Sequence, residues 1–198
     1  PEALIEAHQH TFALAAKLVA ACPYRPDLIN LGGGFGIPYF AGEKRLDLTL
    51  VGQSLQTLLA QYDSELADIE LVIELGRYLV AEAGIYACQV VDKKISRGTT
   101  YLVCNGGLHH HLANSGNFGQ VIRKNYPVAI GNRLTGDVTE QVTIVGPLCT
   151  PLDILADKVT LPVAEVDDWV VVYQSGAYGP TASPQDFLGH PAVAEILL

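Results

Sequence analysis

The chain contains no methionine and only one tryptophan in 198 residues. A complete translated chain begins with methionine, so a processed or trimmed chain is expected. Its first residues, Pro1 and Glu2, are not a basic segment leading into an apolar one, so no secretory leader is expected. No run of 18 apolar residues occurs, which leaves nothing to read as a membrane-crossing helix. Positive charge is scarce. Lys and Arg number 12 against 21 Asp and Glu, and a net charge of −9 excludes a phosphate-neutralising nucleic-acid surface. Four cysteines, Cys22, Cys88, Cys104 and Cys149, show no C-x-x-C spacing. That pattern argues against a zinc site and for a reducing, cytoplasmic setting.

What is present centres on residues 28–39, Leu-Ile-Asn-Leu-Gly-Gly-Gly-Phe-Gly-Ile-Pro-Tyr. A short apolar run ending at glycines predicts a buried strand and a tight loop. Successive bare N–H groups can form a concave nest for a phosphate. A plain glycine turn is the simpler alternative, and the G-x-G-x-x-G dinucleotide pattern is absent. Ahead of the loop, residues 3–21 carry Leu4, Ile5, His8, Phe12, Ala15, Ala16 and Val19 at helical spacing, before Pro23 and Pro26. Residues 46–66 predict a second helix through Leu48, Val51, Leu55, Leu58, Leu59 and Tyr62. A second apolar run, Leu71-Val72-Ile73, ends at Glu74-Leu75-Gly76-Arg77. The first 84 residues therefore read helix–strand–helix–strand, the order of a parallel α/β sheet.

From residue 85 the pattern changes to short strands, predicted over 85–91, 99–104, 138–145, 158–162 and 169–173. Helical spacing returns only at 151–156 and in the last residues. The expected organisation is two domains, 1–84 α/β and 85–198 all-β. Two βα units cannot close a barrel, which takes eight, and their strands are apolar on neighbouring residues. The first domain is therefore expected to be the tail of a larger barrel whose N-terminal portion is missing. Glycine loop and Glu74-Arg77 motif would then share the face where such barrels bind ligands, with Arg77 available for a phosphate. An ordinary Glu74–Arg77 salt bridge is the alternative.

Four motifs in this order carry a resemblance: residues 32–39, then Glu74-Leu75-Gly76-Arg77, Gly146-Pro147-Leu148-Cys149, and Gly176-Ala177-Tyr178. Together they resemble the fold-type III pyridoxal-phosphate decarboxylases, which include the diaminopimelate, ornithine and arginine enzymes. Residues 109–120 and 187–191 look like the subgroup associated with exosortase and exopolysaccharide gene clusters. The resemblance implies the end of an alanine-racemase-like (β/α)8 TIM barrel followed by a C-terminal β-barrel or β-sandwich domain. It implies pyridoxal 5′-phosphate, with Gly32, Gly33, Gly34, Gly76, Arg77 and Tyr178 around its phosphate and Glu74 at its ring nitrogen. It also implies a homodimer with shared active sites, Cys149 reaching into the partner's site as an acid, and Thr150 and Asp153 on the substrate side.

The sequence departs from that pattern. Leu75 stands where the family usually has proline. Thr150 stands where the diaminopimelate and ornithine enzymes have an acid, which puts a basic diamino substrate in doubt. The Schiff-base lysine and the ring-stacking histidine of the family lie upstream of the glycine loop. None of Lys17, Lys44, Lys93, Lys94, Lys124 and Lys158 has the context of that lysine. His109, His110 and His111 invite a metal reading, but neighbours on a strand face opposite ways, so no metal is expected. Cys22, Cys88 and Cys104 read as small core residues. The reading is an amino-acid decarboxylase, this chain alone being inactive. The rival is a non-catalytic homologue acting as a binding or regulatory protein; a racemase would not explain Gly-Pro-Leu-Cys.

Overall fold

An apolar stripe at helical spacing forms α1 (Glu2–Ala21), whose buried positions are His8, Phe12, Ala15 and Ala16. The chain then enters β1 (Leu28–Asn30). α2 (Leu48–Gln61) starts at Asp47, whose carboxylate accepts from the N–H groups of Thr49 at 2.9 Å and Leu50 at 3.2 Å. That cap satisfies donors that a helix start otherwise leaves orphaned. The predicted single helix breaks at Tyr62, and α3 (Asp63–Leu66) follows as a separate turn. β2 (Glu70–Val72) pairs parallel to β1 with Ile29 opposite Leu71. Phe12, Ala15, Leu58, Leu66 and Ile69 close the core over these strands, with Ile29, Leu31 and Leu71 packed against it. A short α4 (Gly76–Val80), unforeseen in the sequence, follows β2.

The computed structural model describes residues 1–40, 42–116 and 123–198. The chain divides into two compact units: 1–38 with 43–79, and 39–42 with 80–198.

The second unit is built on β3 (Tyr86–Ser96), β4 (Thr99–Cys104), β5 (Val128–Ile130), β6 (Thr139–Val145), β7 (Ile154–Pro162) and β8 (Trp169–Val172). They form one six-stranded sheet in the order β5-β8-β3-β4-β6-β7. β3 and β4 make a hairpin through Arg97 and Gly98, both at positive φ (49° and 79°), the conformation that matches strand twist. β4 and β6 run parallel; the other neighbouring pairs are antiparallel. The edges approach one another. Asn125, just before β5, donates to the carbonyl of Asp157 in β7 at 2.7 Å and accepts from its N–H at 2.8 Å. The sheet thus curls like a barrel around Val90, Leu102, Ile130, Ile144, Leu155, Val170 and Val172, all 0% exposed.

Residues 154–156 are strand, not the helix their spacing suggested. Leu155 and Ala156 are fully buried in the sheet, and the pattern is disguised by a bulge farther along. There Lys158 has φ 50°, and the Thr143 hydroxyl donates to the Asp157 carboxylate at 3.0 Å. The last residues form no helix either; only a short 3₁₀ turn, Phe187–Gly189, precedes them.

Candidate functional site

Two clusters carry the candidate residues, one in each unit. In the first, β1 and β2 continue their parallel ladder into the loops: Leu31 N–H donates to the Val72 carbonyl at 2.8 Å, and Glu74 N–H to the Gly32 carbonyl at 2.9 Å. Gly32 and Gly34 have φ of 81° and 89°, the left-handed region where a side chain is strained. A Cβ on Gly33 would stand 2.6 Å from the Glu74 carbonyl oxygen, so the two strand ends pack only because this residue is glycine. Above Gly32, Gly36 and Gly76 the space is open.

Asn30, unassigned in the sequence reading, organises this corner. Its amide donates to Glu74 Oε1 at 2.7 Å, and its Oδ1 accepts from the Gly32 N–H at 2.7 Å. One side chain therefore ties the exposed carboxylate to the first glycine. Its only signal was being polar within an otherwise apolar strand. Behind the loop, buried Phe35 packs against His8 and Tyr78 at ring separations of 5.9 and 6.4 Å. Burial lowers the pKa of His8, whose ring nitrogens have no hydrogen-bond partner among the described residues. Arg77 sits half-buried in the first turn of α4. A glycine run that is half-buried at Gly32 and Gly33 and exposed at Gly34, a guanidinium and an oriented carboxylate fit the phosphate and the basic ring nitrogen of pyridoxal phosphate.

The second cluster surrounds the Gly146–Thr150 loop, which carries an exposed Cys149 thiol. Thr150 N–H donates to the Leu148 carbonyl at 2.8 Å, and the Thr150 hydroxyl accepts from Leu152 N–H at 3.3 Å. Asp153 is 2% exposed. Its Oδ1 accepts from Leu108 N–H at 2.6 Å and its Oδ2 from Leu148 N–H at 2.8 Å. Burial raises its pKa, and the two N–H donors oppose that rise. Its carboxylate is thus turned into the protein and joins two loops. Tyr178 is 39% exposed and adopts φ 57°. Its motif is anchored through Gly176, whose N–H donates to the Ala81 carbonyl at 3.0 Å and which packs on Gly84 too tightly for a Cβ on either.

His109, His110 and His111 lie in a turn, not on a strand, and all three are buried, so the face-alternation argument does not apply to them. His110 Nε2 lies 2.8 Å from the Pro191 carbonyl and Nδ1 lies 3.0 Å from the Tyr86 hydroxyl. A carbonyl only accepts, so Nε2 carries the proton and the Tyr86 hydroxyl donates to Nδ1. Gly106 leaves room for that pair, since its Cβ would overlap the Tyr86 oxygen. Burial raises the pKa of Tyr86, keeping it a phenol. Among the described residues His109 and His111 have no hydrogen-bond partner, and burial lowers each to a pKa of about 4. No group of three or more potential ligands converges on a metal position among the described residues. Residues 117–120 of the resemblance motif lie outside the described residues.

A helix–strand–helix–strand unit followed in the chain by a curled six-stranded sheet is the closing part of a (β/α)8 barrel with a C-terminal β-domain. The chain belongs to the pyridoxal-dependent decarboxylases: their C-terminal sheet-domain profile matches residues 30–176. It is 38% identical over 200 residues to the L-glutamyl-[BtrI acyl-carrier protein] decarboxylase of Niallia circulans, covering 99% of this chain and 46% of that protein. It is 31% identical over 173 residues to the 2-[(L-alanin-3-ylcarbamoyl)methyl]-2-hydroxybutanedioate decarboxylase of Staphylococcus aureus, covering 82% of this chain and 41% of that protein. The crystal structure of diaminopimelate decarboxylase from M. jannaschii with L-lysine superimposes with a TM-score of 0.79, at 22% identity, over 95% of this chain and 42% of that one. The chain thus spans less than half the length of these relatives.

Proposed function

We propose that this chain forms part of a pyridoxal-phosphate-dependent amino-acid decarboxylase, and supplies its phosphate cradle, its ring-nitrogen partner and an acid. The observation that carries the reading is the Asn30–Glu74–Gly32 corner: a carboxylate aimed by a side-chain amide, beside left-handed glycines, at the ends of parallel strands. Gly32, Gly33, Gly34, Gly76 and Arg77 would hold the phosphate, and the family resemblance adds Tyr178 to that set. Glu74 would hold a proton at the ring nitrogen. When bound, the cofactor supplies an electron sink for the pair left as CO2 departs. Cys149 delivers a proton to the substrate Cα, which gives the amine; protonation elsewhere gives a carbonyl product instead. The site is shared across a homodimer, Cys149 serving the partner's glycine cradle. The Schiff-base lysine belongs to a portion outside this chain.

Thr150 selects the substrate class. A hydroxyl cannot neutralise a distal ammonium, and an unpaired buried charge costs on the order of 3–5 kcal/mol. The favoured substrates therefore carry a neutral, acidic or carrier-tethered side chain. The two relatives above are consistent with this class, while a relative 33% identical over 169 residues is a diaminopimelate decarboxylase, so Thr150 carries the reading. Within the family, the sequence of residues 109–120 and 187–191 favours the exosortase-associated subgroup, in a cytoplasmic setting.

The test uses the full-length enzyme, cofactor-loaded, and follows CO2 release from a panel of amino acids. Activity is expected on non-basic substrates. Arg77→Gln should weaken cofactor binding at least tenfold, and Cys149→Ala should raise the carbonyl share of product. Mixing the two impaired variants at limiting cofactor should raise amine formation above that of either alone, because one hybrid site draws both groups from intact chains. No CO2 from any substrate refutes the decarboxylase reading and favours the regulatory homologue; no rescue refutes the shared site.

A further inference from the structure

We propose that Asp153 is a positioning residue for Cys149: its buried carboxylate fixes where the 146–150 loop presents the thiol. The inference rests on the role given to Cys149 above, but the geometry behind it is independent of that role. Asp153 accepts from the Leu148 N–H, one residue before Cys149, and from the Leu108 N–H, 45 positions away in sequence. The same residue closes the loop through its backbone, because Gly146 N–H donates to its carbonyl at 3.0 Å and its own N–H donates to the Thr150 carbonyl at 3.2 Å. Cys149 therefore lies between two points, Leu148 and Thr150, both hydrogen-bonded to Asp153.

The surroundings are cut to this carboxylate. Gly107 and Gly146 flank it from the two loops, and a Cβ on either would overlap its oxygens. Two glycines on separate loops, both without room because of one side chain, mark a built socket. A carboxylate accepts several hydrogen bonds at once, and each buried backbone N–H needs a partner. One buried carboxylate joining two loops is more rigid than two neutral contacts, because charge-assisted hydrogen bonds are shorter and stronger. The exposed thiol is then held by an interior anchor and not by its own contacts.

The experiment compares Asp153→Asn with Asp168→Asn in the full-length enzyme. Asp168 is also buried, at 4% exposure, and accepts from Glu165 N–H at 2.8 Å and Asn132 at 2.6 Å. It serves a different loop and controls for lost stability. The first readout is the rate of Cys149 alkylation by iodoacetamide, resolved by peptide mass spectrometry, since Cys22 is exposed too and is not the core residue its sequence setting suggested. An amide nitrogen at position 153 faces one N–H donor with another, so that side of the loop must shift. Asp153→Asn should change the Cys149 rate at least threefold, while Asp168→Asn leaves it unchanged. The second readout is the amine-to-carbonyl product ratio, which a loss of folded enzyme alone does not alter. Asp153→Asn should move the ratio the way Cys149→Ala does. Should Asp153→Asn not fold, Gly107→Ala displaces the carboxylate from a residue distant in sequence and should change the alkylation rate likewise. An unchanged Cys149 rate in the folded variants overturns the proposal. A changed rate with a ratio that neither Cys149→Ala nor Asp153→Asn moves overturns the acid role and leaves the loop anchor standing.

Discussion

His111 makes the β-domain sensitive to acid by an amount that can be worked out. Its ring is 1% exposed, has no hydrogen-bond partner among the described residues, and packs edge-on against Tyr86 and Tyr126 at 5.9 and 5.8 Å. Burial lowers its pKa from 6.5 to about 4. The folded state therefore keeps the ring neutral where the unfolded chain takes up a proton. Stability from this group is intact above 6.5, falls as the pH drops from 6.5 to about 4, and is level below. One pKa unit corresponds to about 1.4 kcal/mol, so the loss is about 2 kcal/mol at pH 5 and ~3 kcal/mol at pH 4 as an upper bound. His111→Phe keeps an edge-on aromatic ring and removes the proton. Urea unfolding at pH 7.5 and 5.0, followed by fluorescence of the single tryptophan, reports on the unit that contains both Trp169 and His111. The stability lost between the two pH values should be about 2 kcal/mol smaller in His111→Phe than in the parent. Other groups cancel in that difference, including Asp153, whose raised pKa acts the opposite way. Equal losses in the two proteins would show that the ring is not held neutral by burial.

Asp47→Ala removes the cap of α2 and should cost about 1 kcal/mol, read from the urea midpoint by far-ultraviolet circular dichroism; no change would mean water serves those N–H groups equally well. Gly33→Ala forces a Cβ against the Glu74 carbonyl and should weaken pyridoxal phosphate binding at least tenfold in the full-length enzyme, measured by fluorescence titration. Thr150→Glu should raise kcat/KM for diaminopimelate relative to an acidic amino acid; a parent enzyme already efficient on diaminopimelate would place the charge partner elsewhere. The 198-residue chain alone, incubated with pyridoxal phosphate and borohydride, should retain no covalently attached pyridoxyl group at a specific lysine by mass spectrometry; one stoichiometric label would contradict the assignment of that lysine to another portion.

Local order was legible and distant pairing was not. The α1 stripe and the strands around 85–104 and 139–145 follow from periodicity, because each side chain's burial is set by its own element. β1 was marked by the glycines after it and is not the buried strand expected, since Leu28 and Asn30 are exposed and Ile29 is half-buried. β5 was missed because its three residues, Val128–Ile130, are too few for a period to show, and a strand that short is specified by its partner β8. The 151–156 region misread as helical because the left-handed Lys158 breaks the two-residue alternation of β7. The histidines misread as strand because three like residues carry no period at all. Asn30 with Glu74 and Asp153 with Leu108 are 44 and 45 residues apart, and nothing in composition joins them.

The two carboxylates that sequence placed together in one site are separated by their burial into different tasks. Glu74 is exposed and accepts a hydrogen bond from the neutral Asn30 amide, which aims it without covering it. Asp153 is enclosed, and both its oxygens accept backbone N–H groups within hydrogen-bond distance. An ionised group that is to meet a ligand must keep an open face, and one that is to fix a loop must spend its lone pairs on that loop. Glycine marks both, in different ways. At Gly33 the missing Cβ lets two strand ends meet beneath the exposed acid, and at Gly107 and Gly146 it makes room for the buried one. A glycine beside an acidic residue in the sequence shows neither arrangement. The distinction appears only when the space that a Cβ would occupy is known: Glu74 keeps an open face, and Asp153 is spent on the loop that carries Cys149.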